Sequence, residues 1–166
     1  MRLENKVAII TGGAKGLGGE MAQTFAKEGA KVIAVDMAPL SYECDGVEFY
    51  QLNVTDGEAC KALFEYAKEK YGRIDILVNN AGIIKRIPMH EMSAAEFRKV
   101  IDVDLNAPFI VAKACLPGMI DGSADKIYDI FHEGWTEHNL CADLGQRLGL
   151  KVEVENNVRA RAISAE

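Results

Sequence analysis

The chain has 166 residues, 49% of them hydrophobic and 27% charged, which are the size and composition of one globular domain. The net charge of −6 argues against a nucleic-acid-binding surface, since binding phosphates requires clustered lysines and arginines. No apolar stretch is long enough to span a bilayer, so we expect no membrane partner. The N-terminus shows no signal-peptide pattern, and we therefore expect a cytoplasmic protein with reduced thiols. The cysteines lack metal-ligand spacing, so we expect no metal site.

A glycine-rich segment lies between the first predicted strand, 7–11, and a helix predicted over 17–28. The segment reads Thr11-Gly12-Gly13-Ala14-Lys15-Gly16-Leu17-Gly18. Glycines permit a tight turn and close approach of backbone N–H groups, and the helix N-terminus carries partial positive charge. A strand, such a turn and a helix N-terminus together form a site for a diphosphate. The alternative is an ordinary strand–turn–helix unit without a ligand.

The second predicted strand, 32–36, ends in Asp36, which lies 20 residues after Gly16. A carboxylate at this distance from a glycine-rich turn accepts hydrogen bonds from the ribose hydroxyls of a dinucleotide. It also repels the 2′-phosphate of NADP, so we expect NAD in preference to NADP. The alternative for Asp36 is a solvated carboxylate at the end of a strand.

The alternation of strands and helices continues along the chain. A short polar link, 39–46, has room for about one helical turn, and a strand follows at 47–53. Thr55 is predicted to cap the next helix, which ends at Gly72. A fourth strand is predicted at 74–78, and Ser93 with Glu96 forms a capping box for a helix from residue 94 to about residue 114 or later. Pro108 is expected to bend that helix or to free a carbonyl.

This order predicts an α/β fold, a Rossmann-like doubly wound parallel sheet of about five strands between two layers of helices. Ligands bind such sheets at the carboxyl ends of the strands. Asn53 and Val54 are expected to flank the adenine, and Asn79, Ala81 and Gly82 to contact the cofactor or shape its crevice. The predicted cofactor-binding residues are Thr11, Gly12, Gly16, Leu17, Gly18, Asp36, Asn53, Val54, Asn79, Ala81 and Gly82.

The composition changes after residue 118, and 121–125 has the character of a linker. Helices are predicted at 126–132, 139–148 and 158–166. The alternating segment 151–155 predicts a strand, and we expect Val152 and Val154 to place it as a fifth strand beside the fourth. The domains are therefore predicted as 1–120 and a helix–strand–helix tail, 121–166.

Residues 1–120 resemble the short-chain dehydrogenase/reductase family. The resemblance rests on the glycine-rich segment, on Asp36, on the run Asn79-Asn80-Ala81-Gly82, and on their order and spacing. The stretches 82–88 and 100–109 are most similar to the gluconate 5-dehydrogenase branch. The resemblance implies a nicotinamide dinucleotide, hydride transfer to or from a sugar acid or polyol, and a homodimer through the helix predicted over 94–114. In that helix Phe109, Ile110, Val111 and Leu116 are expected to form an apolar surface, which either the tail or another chain must cover.

The family pattern breaks after residue 120. Family members continue with a catalytic serine and a helix bearing Tyr-x-x-x-Lys, whereas here Tyr128 is followed four residues later by His132. Asp104 stands at the position of the family's catalytic asparagine. We therefore assign no catalytic residue and expect cofactor binding with little hydride transfer. An alternative keeps the chain an enzyme, with Tyr128 or a water held by Asp104 as the base.

The tail has a different resemblance. Residues 138–166, and within them the run 144–157, are similar to a segment of the ROK family of sugar kinases and repressors. In those kinases an aspartate base occupies the position of Asn157, and an amide cannot accept the proton. The chain is interpreted as two gene pieces joined near residue 120, which makes it a truncated dehydrogenase domain and a chimera. A further alternative is a non-catalytic nucleotide- or sugar-sensing scaffold that uses the tail.

Overall fold

The computed structural model describes residues 1–121. The strands are β1 (Val7–Thr11), β2 (Lys31–Asp36), β3 (Val47–Gln51) and β4 (Ile76–Val78), all parallel and ordered β3-β2-β1-β4. The helices are α1 (Gly16–Lys27), α2 (Gly57–Tyr71), α3 (Ala94–Ile101) and α4 (Ala107–Asp121). A π-helical turn, Asp102–Asn106, joins α3 to α4.

Alternate residues of the central strands pack on opposite faces of the sheet. Ile9 and Ile33 belong to a core cluster with residues of α2 and α4, whereas Ala8 and Ile10 belong to a second cluster with residues of α1, such as Ala22. Both clusters are buried because β1 and β2 have helices on both sides, which explains their continuous apolar sequence. The predicted Rossmann-like α/β fold with three layers is confirmed.

The start of α2 differs from the prediction. Asp56, not Thr55, caps this helix, and its Oδ1 accepts hydrogen bonds from the N–H groups of Glu58 (3.0 Å) and Ala59 (3.1 Å). Thr55 instead donates to Oδ1 of Asn53 at 2.9 Å. The expectation for Thr55 was wrong because Asn53 forms a local turn that withdraws the Thr55 hydroxyl from the helix.

The long helix after β4 has its irregularity one turn before Pro108. The N–H of Ala107 donates to the carbonyl of Asp102, five residues back, so the wider turn Asp102–Asn106 precedes the proline. A proline ring needs this space because it clashes with the preceding turn of a regular helix. The helix then continues to Asp121, in agreement with a predicted end at about residue 114 or later. The predicted capping box of Ser93 and Glu96 is confirmed.

Other boundaries shift by a few residues. β3 ends at Gln51 rather than at residue 53, and β4 begins at Ile76 rather than at residue 74. The link 37–46 contains turns and bends but no helical turn. Four strands fall in the described part of the chain. The predicted strand 151–155, with Val152 and Val154, and the predicted helices 126–132, 139–148 and 158–166 lie outside the described residues. Among residues 1–121, no helix has the length and apolarity needed to cross a membrane.

A candidate dinucleotide site

A cavity of about 890 Å³ opens at the carboxyl ends of the strands. β2 and β3 lie on one side of β1 and β4 on the other, so the loops after β1 and β4 diverge and leave a crevice between them. The cavity is lined by Gly12, Lys15, Gly16, Leu17, Gly18, Val35, Asp36, Met37, Leu52, Asn53, Val54, Thr55, Asn80, Ala81, Gly82, Ile83, Ala95, Arg98, Lys99, Asp102 and Val103. Nine of the eleven residues that the sequence predicted for the cofactor are therefore in its wall.

The glycine-rich turn is packed too closely for side chains at three of its positions, Gly12, Gly13 and Gly18. Gly12 has a φ of +66°, and a Cβ there would lie 2.9 Å from Cα of Ala81. A Cβ at Gly18 would collide with the carbonyl oxygen of Gly12 and would lie 2.5 Å from Nδ2 of Asn80. These glycines allow the start of α1 to approach the turn and the loop after β4, which places the helix N-terminus at the cavity.

The N-terminus of α1 presents backbone N–H groups to the cavity. Lys15, just before the helix, is extended (φ −161°), and no side chain of residues 1–121 caps the first turn. That turn also contains no acidic residue. Uncapped N–H groups and the helix dipole together attract an anion. Gly16, Leu17 and Gly18 therefore line a place suited to a diphosphate.

Asp36 lies across the cavity from this helix end, at the last position of β2. Its Oδ2 accepts a hydrogen bond from the N–H of Ala14 (3.2 Å) and its Oδ1 one from Ala38 (3.1 Å). A carboxylate oxygen can accept two hydrogen bonds, so within residues 1–121 each oxygen of Asp36 keeps one lone pair free. The backbone bonds fix the carboxylate, and the free lone pairs suit two vicinal hydroxyls of a ribose.

The wall formed after β3 is also held by local hydrogen bonds. Oδ1 of Asn53 accepts from the N–H of Thr55 at 3.1 Å, and the carbonyl of Val54 accepts from Sγ of Cys60 at 3.6 Å. Val54 is buried, and Asn53 is exposed. An apolar residue beside an amide suits a flat, polar-edged base such as adenine.

Two predicted cofactor-binding residues do not line the cavity. Thr11 is only 1% exposed, and its Oγ1 accepts from the N–H groups of Asn80 and Ala81, each at 3.0 Å. Asn79 is turned towards the long helix, where its Nδ2 donates to the carbonyl of Pro108 at 3.3 Å. Direct cofactor contact by Thr11 or Asn79 is therefore not what the geometry shows. Both residues instead fix the loops that form the crevice.

Asn80, which was not predicted, is at the centre of this region. Its Nδ2 donates to the carbonyls of Thr11 (3.0 Å) and Gly12 (3.2 Å), so it joins the loop after β4 to the glycine-rich turn. The sequence did place Asn80 in a characteristic run, but two adjacent asparagines cannot be told apart without knowing the direction in which the strand ends. The other unpredicted wall residues are Lys15, Val35, Met37, Leu52, Thr55, Ile83, Ala95, Arg98, Lys99, Asp102 and Val103.

The sequence profile of the short chain dehydrogenase family matches residues 6–130, three quarters of the chain. The chain belongs to the short chain dehydrogenase family. This finding confirms the family resemblance drawn from the motifs of the first 120 residues, and the family binds nicotinamide cofactors. Within residues 1–121, no three His, Cys, Asp or Glu side chains are grouped to hold a metal ion.

Relatives of this short chain dehydrogenase include sugar-acid and polyol enzymes. A 2-dehydro-3-deoxy-D-gluconate 5-dehydrogenase of Formosa agariphila is 37% identical over 138 residues, which are 77% of this chain and 52% of the relative. A 3-oxoacyl-[acyl-carrier-protein] reductase of Thermotoga maritima is 43% identical over 129 residues, 72% of this chain and 52% of the relative. A galactitol 2-dehydrogenase of Agrobacterium fabrum is 41% identical over 126 residues, 72% of this chain and 49% of the relative.

A solved structure shares the fold. The ligand-free aldohexose dehydrogenase of Thermoplasma acidophilum matches with a TM-score of 0.68 and 35% identity, over 72% of this chain and 46% of that one. The chain spans about half the length of the curated relatives it matches.

The spacing Tyr-x-x-x-Lys occurs once in this short chain dehydrogenase, at Tyr66 and Lys70 on α2. Nζ of Lys70 lies 2.9 Å from Oη of Tyr66, but both side chains contact Glu48 on β3, and neither lines the cavity. Burial raises the pKa of Glu48, but hydrogen bonds from Lys70, Tyr66 and Tyr71 outweigh it and hold the pKa below its usual value. This pair therefore stabilises the sheet edge and has no access to a substrate at the cavity.

Asp104, at the position of the family's catalytic asparagine, lies beside the loop after β4. Its Oδ1 accepts a hydrogen bond from the N–H of Ile83 at 2.8 Å, and a Cβ on Gly82 would be 3.5 Å from the same oxygen. Asp104 is exposed and is absent from the cavity wall. In the described residues its role is to hold this loop in place. Tyr128, the other base considered from the sequence, lies outside the described residues.

Proposed function

We propose that this chain binds NAD as a short-chain dehydrogenase-type domain. The observation that carries the proposal is the cavity with the uncapped N-terminus of α1 on one side and Asp36 on the other. In this arrangement the diphosphate accepts hydrogen bonds from the first-turn N–H groups. Asp36 accepts hydrogen bonds from the hydroxyls of the adenosine ribose, and Asn53 and Val54 flank the adenine.

The preference for NAD over NADP follows from Asp36. A 2′-phosphate would replace a hydroxyl that donates to this carboxylate by a group that can only repel it. Lys15 also lines the cavity, but it lies at the helix N-terminus, where a cation meets the diphosphate. The bound nicotinamide cofactor supplies or accepts a hydride; the described residues bind it and orient it.

The substrate class we propose is a sugar acid or polyol. Support comes from the names of three relatives, which are a dehydro-deoxy-gluconate dehydrogenase, a galactitol dehydrogenase and an aldohexose dehydrogenase. The 3-oxoacyl reductase among the relatives shows that related chains also act on other carbonyl compounds.

We further propose that this chain transfers hydride slowly or not at all. An alcohol oxidation needs a group that removes the hydroxyl proton, and the described cavity wall holds no tyrosine–lysine pair. Tyr66 and Lys70 are within hydrogen-bond distance of each other, but they contact Glu48 on β3 and lie outside the cavity wall. Binding without efficient turnover is the expected behaviour.

Self-association through the long helix is a further part of the proposal. Phe97, Leu105, Phe109 and Leu116 are 52%, 64%, 67% and 41% exposed and recur at spacings of eight, four and seven residues along α3, the π-helical turn and α4. A contiguous apolar stripe of this kind favours burial against a second copy of the chain. The predicted surface is corrected in one respect, because Val111 is buried against α2 and Ile110 is partly buried.

Calorimetric titration of the wild-type chain with NAD and NADP tests the binding proposal. We expect tighter binding of NAD, and we expect Asp36→Asn to reduce the ratio of the two affinities by about tenfold or more, since a charge-assisted hydrogen bond is lost. Asp45→Asn, an exposed carboxylate outside the cavity, is the matched control and should leave the ratio unchanged. An unchanged ratio in Asp36→Asn would contradict the assigned role of Asp36.

Turnover is measured separately, as NADH absorbance with gluconate and polyols at high protein concentration. We expect a rate near the background. Robust NADH formation would contradict the proposal of slow hydride transfer while leaving the cofactor site intact.

A further inference from the structure

The link between β2 and β3 contacts the glycine-rich turn through Ser41 and Tyr42. Oη of Tyr42 donates to the carbonyl of Gly13 at 2.8 Å. The backbone N–H and the hydroxyl of Ser41 both donate to the carbonyl of Ala14, each at 2.9 Å. We call Ser41 and Tyr42 together the clasp. None of the motifs in the sequence indicated it, since the link was predicted only as a polar connection.

The tyrosine ring also packs against α1. Gly19 is buried, and a Cβ built on it would lie 3.0 Å from Cε1 of Tyr42. The absence of a side chain at Gly19 therefore makes room for the ring. Burial raises the pKa of Tyr42, so the phenol stays protonated and remains a hydrogen-bond donor at neutral pH. Tyr42 therefore contacts both the glycine-rich turn, at Gly13, and the first helical turn of α1, at Gly19.

The hydrogen bonds of the clasp set the orientation of two consecutive peptide groups. A peptide is planar and trans, so fixing its carbonyl oxygen fixes the opposite direction of the N–H in the same plane. Tyr42 holds the carbonyl of Gly13, and the N–H of the same peptide, on Ala14, donates to Asp36. Ser41 holds the carbonyl of Ala14, and the N–H of that peptide belongs to Lys15, which lines the cavity.

We propose that Tyr42 is a positioning residue for phosphate binding, which it supports by holding the turn before α1 in the conformation that offers backbone N–H groups to an anion. The inference rests on the proposed function, because it concerns the same site. Tyr42 touches neither the cavity nor a ligand in it, and it acts through Gly13 and Gly19. When the turn samples other conformations, the apparent affinity is the intrinsic affinity multiplied by the fraction of chains that remain competent to bind.

A merely structural role for Tyr42 would have a different signature. If Tyr42 only stabilised the domain, its loss would lower the melting temperature and would reduce the affinity for all ligands of the cavity by the same factor. The positioning role predicts a loss confined to ligands that carry phosphate, since the Asn53–Val54 wall has its own hydrogen bonds and does not depend on the clasp.

The test uses Tyr42→Phe, which keeps the ring against Gly19 and removes only the donor. Dissociation constants are measured for NAD and ADP by calorimetry and for adenine by displacement of NAD; adenine is used because it lacks the ribose, whose acceptor Asp36 shares a hydrogen bond with the turn. We expect the constants for NAD and ADP to rise by up to about fivefold, the factor that corresponds to the net contribution of one hydrogen bond. The constant for adenine should stay unchanged.

Two further variants complete the test. Ser41→Ala removes one of two donors to Ala14 and should give the same pattern with a smaller loss. Tyr71→Phe is the matched control, because Oη of Tyr71 donates to Glu48 at 2.8 Å, away from the turn. It should change the melting temperature without changing any of the three constants.

The outcomes separate the inference from the proposed function. A wild-type chain that binds NAD, together with a Tyr42→Phe variant that binds all three probes as the wild type does, overturns the inference alone. An equal loss for ADP and adenine also overturns it. A folded wild-type chain that binds none of the probes overturns the proposed function and the inference with it.

Discussion

Two glycines with similar backbone conformations, one in the cavity wall and one outside it, give a controlled test of the site. Gly16 and Gly72 have φ values of +57° and +76°, and a Cβ built on either meets no atom within 4 Å. Gly16 lies at the start of α1 in the cavity wall, whereas Gly72 ends α2 outside it. The two substitutions Gly16→Ala and Gly72→Ala therefore impose the same kind of strain at different places.

The expected stability cost is the same for both variants. An alanine in the left-handed region costs about 1–2 kcal/mol, and the lower entropy of the unfolded chain offsets about 0.4–1 kcal/mol of this. The net loss of about 1 kcal/mol lowers the melting temperature by about 2–4 °C in a chain of this size. The affinity for NAD should differ. A methyl group at Gly16 occupies space where the diphosphate would sit, and losing one charge-assisted hydrogen bond weakens binding about tenfold or more.

Thermal unfolding and calorimetric titration with NAD measure the two effects separately. We expect Gly16→Ala and Gly72→Ala to melt at similarly reduced temperatures, and only Gly16→Ala to bind NAD more weakly. Equal NAD affinities in the two variants would refute the placement of a diphosphate at the start of α1. A large loss of affinity in Gly72→Ala would show that general destabilisation, not the site, controls binding.

Three further predictions concern other parts of the chain. Burial raises the pKa of Asp75, but hydrogen bonds from Arg73 and from the Val7 amide outweigh it and hold the pKa below its usual value. The stability that this gives is present above the unfolded pKa of about 3.9 and is lost as the pH falls through the folded pKa. In Asp75→Asn, the free energy of unfolding measured in urea should therefore fall less steeply as the pH is lowered through this range. Asn80→Ala leaves the carbonyls of Thr11 and Gly12 without these donors and should lower the free energy of unfolding by about 1–2 kcal/mol, more than the exposed Asn79→Ala, as judged by urea midpoints. Phe109→Glu should convert a dimer to a monomer in sedimentation velocity, whereas Met89→Glu, at a still more exposed apolar residue off the helix, should not; a dimer that survives Phe109→Glu would contradict the proposed interface.

The sequence predicted the elements whose determinants are local. Four consecutive apolar residues define β1, a glycine ends α2, and the pair Ser93 and Glu96 starts α3, all within a few positions of the observed limits. The cavity residues at the glycine-rich turn and Asp36 followed from spacing, because the turn and the end of β2 are brought together by any parallel β–α–β unit.

The features that sequence reasoning missed depend on contacts between distant segments or on competition between neighbours. Tyr42 meets Gly13 across 29 residues, and nothing in the link marks this contact. Asn80 and Asn79 carry the same side chain, and only the path of the chain after β4 decides which one reaches the turn. At α2 both Thr55 and Asp56 could cap the helix, and the hydrogen bond from Thr55 to Asn53 decides in favour of Asp56.

The most direct test of the account is a calorimetric titration of the intact chain with NAD, with folding checked by circular dichroism on the same sample. If the first-turn amides of α1 and the carboxylate of Asp36 form a dinucleotide site, the titration gives saturable heat for one NAD per chain. A folded sample that releases or absorbs no heat with NAD contradicts the account.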